Sequence, residues 1–197
     1  MYMTVVCLIR HGETEWNAVG KLQGRENIDL NKSGKQQAEK CGLYLRENRW
    51  DVIISSPLSR AKQTAKIINQ YMLKPVKIIE MENFIERDYG MASGLTIEDR
   101  VKMFPNRNYT NQEPRELLKT RIITGLNIIL KKHANSNVIL VTHSAVINTI
   151  LALISNNEIG SGKTKLFTAC ISSIYYDQEQ WKIHKYNKID HLQTDSQ

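Results

Sequence analysis

Short apolar runs rich in β-branched residues alternate along this chain with longer segments of helical period. That alternation restricts the fold to an α/β sheet with helices on both faces. Thr4–Arg10, Asp51–Ser55, Val76–Glu80 and Asn137–Thr142 read as buried strands. Ser33-Gly34-Lys35-Gln36 reads as a capping box, with a helix running on to about Asn48. Ser56-Pro57 predicts an N-cap followed by proline at the first helical position, and a helix to about Met72 that buries Ala61, Ala65 and Ile68. Glu116–Lys132 and Ala145–Ile154 carry two further helical periods. Ile171–Tyr176 and Trp181–Tyr186, with a turn at Asp177–Gln180, predict an antiparallel edge. Between Met81 and Pro114 the pattern is irregular, with a short helix expected near Thr96–Phe104. The polar tail after Asp190 is expected to fray. The expected architecture is a three-layer sandwich around a mixed, mainly parallel sheet, as one domain over 1–197.

Composition excludes several classes. A chain that is 41% hydrophobic and 24% charged lacks the signature of disorder. No run of 18 apolar residues predicts a membrane span, and no charged segment ahead of an apolar one predicts a secretory signal, so a cytoplasmic protein is expected. Cys7, Cys41 and Cys170 form no CxxC pair, which points away from a zinc site and from a disulfide framework. The net charge of +7 is spread along the chain and reads as a solvated surface that also suits an acidic small molecule. No nucleic-acid motif is present, and the basic residues lack interleaved aromatics. Monomer and homodimer are both compatible with this sequence.

Ligands of open α/β sheets sit beyond the carboxyl ends of the strands. Three polar clusters fall there: Arg10-His11-Gly12, Ser55-Ser56-Pro57 with Arg60, and Thr142-His143-Ser144. Two arginines offer planar forks for phosphate oxygens, and helix N-termini add donors. A neutral imidazole between arginines can attack phosphorus, and the neighbouring cations would lower its pKa. A protonated His143 would give a third positive donor. The leaving oxygen needs a proton, for which Glu86 is the candidate, with Glu13, Glu82 and Asp88 as alternatives.

These pieces, in this order, resemble the histidine phosphatase superfamily, also called phosphoglycerate mutase-like. The matching residues are Arg10-His11-Gly12-Glu13-Thr14 with Trp16-Asn17, Gln23-Gly24, Ser55-Ser56-Pro57 with Arg60 and Gln63-Thr64-Ala65, Glu86 with Gly90, and Thr142-His143. The resemblance implies a phosphohistidine on His11, with Arg10, Arg60 and His143 holding the phosphoryl group. It implies Glu86 as acid and then base. It also implies substrate contacts at Asn17, Gln23, Gly24, Arg87, Tyr89 and Ser144, no metal, and no organic cofactor. Residues 81–114 would be the variable lid.

The first functional reading is a phosphomonoesterase acting on a small phosphorylated metabolite. Glu86-Arg87 with Tyr89-Gly90 resembles the mutase form of the acid segment, so a cofactor-dependent phosphoglycerate mutase is the alternative. The stretch from Met91 to Pro114 is short for a mutase, and a shorter lid leaves the intermediate open to water. A catalytically inactive relative that only binds phosphorylated partners is the third reading. Against it, Arg10, His11, Arg60 and His143 are all present.

Overall fold

The computed structural model describes residues 3–193. Six strands form one sheet: β1 (Thr4–Arg10), β2 (Val52–Ser55), β3 (Ile78–Glu80), β4 (Asn137–Thr142), β5 (Ile171–Asp177) and β6 (Gln180–Lys188). Their order is β3-β2-β4-β1-β5-β6. The first four are parallel, and β5 and β6 add the antiparallel edge the sequence predicts. Six helices accompany them: α1 (Glu15–Ala18), α2 (Lys32–Leu45), α3 (Ser59–Tyr71), α4 (Ile97–Met103), α5 (Arg115–Lys132) and α6 (Ser144–Ile154). The part of the expected frayed tail from residue 194 onward lies outside the described residues.

Side-chain alternation along the strands builds two cores. Val6, Leu8, Val138 and Leu140 face α5 and α6, where Ile122, Leu126, Val146 and Ile150 meet them. Cys7, Ile9, Ile139 and Val141 face the other way, onto Cys41 and Leu45 of α2 and Ala61, Ala65 and Ile68 of α3. All three cysteines are buried and unpaired. Among the described residues no helix is long and apolar enough to cross a membrane.

Two helix starts differ from expectation. The cap of α2 is Asn31, not Ser33: its side chain accepts from the Gly34 N–H at 2.8 Å. With the cap at Asn31 the helix is already under way at Lys32, and Ser33 lies within its first turn. That helix ends at Leu45 rather than Asn48. In α3, Leu58 takes the extended cap position and Pro57 stays outside the helix. Ser56 Oγ instead accepts from the Leu58 N–H at 3.3 Å. The short helix in the irregular region does form, capped by Thr96 in a reciprocal box with Asp99.

One contact fixes the turn after β1. A Cβ built on Gly12 would stand 2.4 Å from the Gly34 carbonyl oxygen, and one on Gly34 would stand 2.0 Å from that of Glu13. Two backbones touch there, so the start of α2 is the wall against which residues 11–13 are laid.

Candidate active site

The register of the central strands brings the two histidines together. Arg10 of β1 pairs with Thr142 of β4, and the next residue of each strand is a histidine. The His11 N–H donates to the Thr142 carbonyl at 2.9 Å, and the two imidazole centroids are 5.2 Å apart. Both rings are buried.

His11 Nδ1 lies 2.7 Å from the Gly12 carbonyl oxygen. A carbonyl only accepts, so Nδ1 carries the proton and Nε2 keeps its lone pair. The Arg60 Nε–H donates to that Nε2 at 3.3 Å. The Gly12 N–H in turn donates to Thr64 Oγ1 at 3.0 Å, tying the turn to α3. Burial, then Arg60 and Arg10, hold the His11 pKa well below the usual imidazole value of 6.5.

Arg60 is fully buried in the first turn of α3. Its Nη1 and Nη2 donate to the carbonyls of Glu26 at 2.7 Å and Gly24 at 2.9 Å. Burial lowers its pKa to about 10, so it stays charged at neutral pH. Arg10 Nη1 donates to the Leu166 carbonyl at 2.7 Å, while its buried Nε has no partner. His143 caps α6, with Nε2 2.7 Å from Ser56 Oγ and a buried Nδ1 without a partner. Burial, Arg60, His11 and Arg10 all push its pKa well below 6.5, which disfavours the protonated form.

Glu86 is buried, 7% exposed, and accepts the Arg87 N–H at 2.9 Å and the Ala145 N–H at 3.3 Å. Burial raises its pKa, and the two amides, Arg60 and Arg10 only partly offset this. A carboxyl that keeps its proton above the usual range, beside a neutral imidazole, is a matched acid and base. Of the alternative carboxyls, Glu13 accepts from Asn31 Nδ2 at 2.9 Å, Asp88 accepts the Gly90 N–H at 2.8 Å, and Glu82 is exposed.

The other predicted residues are more dispersed in role. Asn17 Oδ1 accepts from the Thr14 N–H at 3.2 Å, which leaves its NH2 group as the end that could meet a ligand. Gln23 is buried with Oε1 unpartnered, and Gly24 has φ +54° beside Arg60. The Arg87 guanidinium donates to the Glu113 carbonyl at 2.9 Å and to Gln112 Oε1 at 3.1 Å, and lies 5.5 Å from the Tyr89 ring. Ser144 opens α6 beside His143. Among the described residues no group of three or more His, Cys, Asp or Glu is placed to hold a metal ion.

Ser56 and Thr64, which the sequence placed in its motifs without a role, act as supports, and two supports were missed by the sequence reading: Glu113 and Arg121. Arg121 of α5 grips Glu113 through two N–H···O bonds of 2.7 and 3.0 Å. It also donates to the carbonyls of Asn83 at 2.8 Å and Glu86 at 3.2 Å. Arg25 completes the cluster, 3.3 Å from Glu113 Oε1 and with Nε donating to the Glu86 carbonyl at 3.3 Å. Their signal, a carboxylate eight residues before an arginine, means nothing until α5 is packed.

The buried imidazoles have a thermodynamic consequence. Below pH 6.5 the unfolded chain takes up protons that the folded chain refuses, so stability falls on acidification. Each histidine contributes a slope of up to about 1.4 kcal/mol per pH unit. Glu86, with its raised pKa, works the opposite way, costing stability as pH rises above its ordinary 4.5. Urea denaturation between pH 5 and 7 reads the sum. An unchanged slope in His143→Asn would refute the assignment to that ring.

Comparison with known proteins adds to this geometry. The model of the histidine phosphatase superfamily (branch 1) matches residues 6–189. The protein named uncharacterized phosphatase PhoE from Bacillus subtilis (strain 168) is 44% identical over 96% of this chain and 97% of its own. The metal-independent phosphoserine phosphatase of Arabidopsis thaliana is 32% identical over 98% of this chain and 84% of its own. The crystal structure of phosphoserine phosphatase from Entamoeba histolytica, in complex with 3-phosphoglyceric acid, superposes with a TM-score of 0.84 at 28% identity. That match covers 96% of this chain and all of the other.

Proposed function

The chain belongs to the histidine phosphatase superfamily, and on that premise we propose that it hydrolyses a small phosphate monoester through a phosphoryl intermediate on His11. The relatives favour hydrolysis over mutase transfer. The observation that carries the reading is the state of His11: a buried ring whose Nδ1–H is anchored on its own turn and whose Nε2 lone pair meets a guanidinium. A second observation supports it. Among the described residues, five buried side-chain atoms lack a hydrogen-bond partner, and three of them belong to Arg10, Gln23 and His143. Such atoms are rare in folded proteins, and these three lie on residues the sequence already assigned to the site.

In this reading Nε2 attacks phosphorus and the bond to the leaving alcohol breaks. Glu86 gives its proton to the departing oxygen. Arg10, Arg60 and the Nδ1 of neutral His143 hold the non-bridging oxygens as charge builds on them. Water then attacks the phosphohistidine, Glu86 recovers a proton from it, and the P–N bond breaks to release inorganic phosphate. Asn17, Gln23, Gly24, Arg87, Tyr89 and Ser144 serve substrate contact in this scheme, and residues 81–114 are its lid. No metal or cofactor takes part. The free, buried cysteines suit a reducing compartment, and we propose the cytoplasm. Two relatives are named for phosphoserine, which makes it the first natural ester to assay.

Rapid quench of the protein mixed with labelled para-nitrophenyl phosphate tests the scheme. Label is expected on His11, lost in acid and retained in alkali. Label on serine or cysteine would move the nucleophile elsewhere.

A further inference from the structure

A cavity of about 640 Å³ adjoins the site, sharing Arg87, Tyr89 and Ala145 with it. Ala145 is the residue whose N–H donates to Glu86. From there the cavity follows one face of α6, along Asn148, Thr149 and Ala152, to the loop 156–163 and the first turn of α5. A phosphoryl group alone needs far less room, and the volume is that of a small-molecule site.

Its chemistry is specific. Arg115, Lys119 and Lys163 line it with Glu116 as the lone acid. Lys163 is held at the rim by donating to the Asn157 carbonyl at 2.6 Å. Arg115 and Lys119 stand at the start of an 18-residue helix that has no side-chain cap. Positive side chains at the positive end of a helix dipole oppose that helix, although Glu116 lies 4.0 Å from Lys119. An anion seated there would answer the side chains and the uncapped helix together. A second, independent feature is Asn148, only 6% exposed. Its NH2 group donates to the Thr164 carbonyl at 3.4 Å, and its Oδ1 has no donor at all.

We propose that this cavity seats the body of the substrate: a phosphomonoester whose far end carries a second anionic group and whose chain offers Asn148 a hydroxyl or ammonium hydrogen. Arg115, Lys119 and Lys163 receive the anion at the start of α5. The inference rests on the phosphatase reading of the neighbouring site.

The test compares kcat/KM on para-nitrophenyl phosphate with that on alkyl phosphates of matched length ending in hydroxyl, carboxylate or phosphate. Either anionic terminus is expected to exceed the hydroxyl by about tenfold or more, the equivalent of one good charge contact. Arg115→Glu with Lys163→Glu should remove that preference through KM and leave para-nitrophenyl phosphate turnover unchanged. The pair Arg115→Gln and Lys163→Gln repeats the measurement if charge reversal disturbs folding. Asn148→Leu should penalise only esters with a hydroxyl or ammonium along the chain. No preference for an anionic terminus, or one that survives both double variants, overturns the inference while para-nitrophenyl phosphate still vouches for the phosphatase. Failure to cleave any ester overturns both.

Discussion

Alanine at position 11 is expected to lower turnover of para-nitrophenyl phosphate by at least about a thousandfold, the scale seen when a covalent nucleophile is removed. The two arginines and His143 would remain to bind the ester, so KM should change far less than kcat. No side-chain polar atom depends on His11 for its partner except Arg60 Nε, which also donates through both other nitrogens to carbonyls. The variant should therefore fold, with an unchanged circular dichroism spectrum. It also loses one of the rings that resist protonation, so its stability should fall less steeply with acid. Full residual activity would sink the assignment of His11.

Glu86→Gln should separate substrates by leaving group. Glutamine keeps the shape, but the amides of Arg87 and Ala145 meet different carboxylate oxygens, so its single carbonyl oxygen can keep only one of those two bonds. It cannot give a proton to a departing alkoxide. Read in a single turnover as release of the leaving group, before the water step in which Glu86 acts as base on every substrate, alkyl phosphates should slow by about 10²- to 10⁴-fold, whereas nitrophenolate, which leaves without protonation, should slow much less. The alkaline limb of the wild-type profile should also vanish, because Glu86 must keep its proton to act and its pKa is raised by burial. Equal losses on both substrates would point to another acid.

Most of the framework was legible because it depends on local pattern. The four parallel strands are apolar runs whose alternation fills two cores, and three of them end in the clusters that meet at the site. A strand end needs no tertiary information to be found, and register then delivers His11 to His143. The misjudged details are those decided by competition between neighbours. Asn31 capped α2 two residues ahead of Ser33, and Leu58 moved the start of α3 past Pro57. The protonation state of His143 was left open by the sequence, because its sequence neighbours say nothing of how deeply it is buried. His191 belongs to no motif, yet its Nε2 lies 3.1 Å from Cys41 Sγ. Arg121 was invisible because it reaches backbone carbonyls some 35 residues away along the chain, and Glu113 because it is placed only once Arg121 and Arg25 are brought together around it.

The cluster around Glu113 links parts that chemistry would treat as separate. Arg25, next to the Gly24 that holds Arg60, and Arg121, which holds the Glu86 segment, share one carboxylate. The proton donor and the phosphate grip are thus mounted on a common bracket. Any change that tilts one of them drags the other, so their mutational losses should not multiply independently. In this chain the spacing between the candidate acid and the phosphate-binding arginine is therefore one dimension, fixed by a carboxylate that touches neither the ester nor its alcohol.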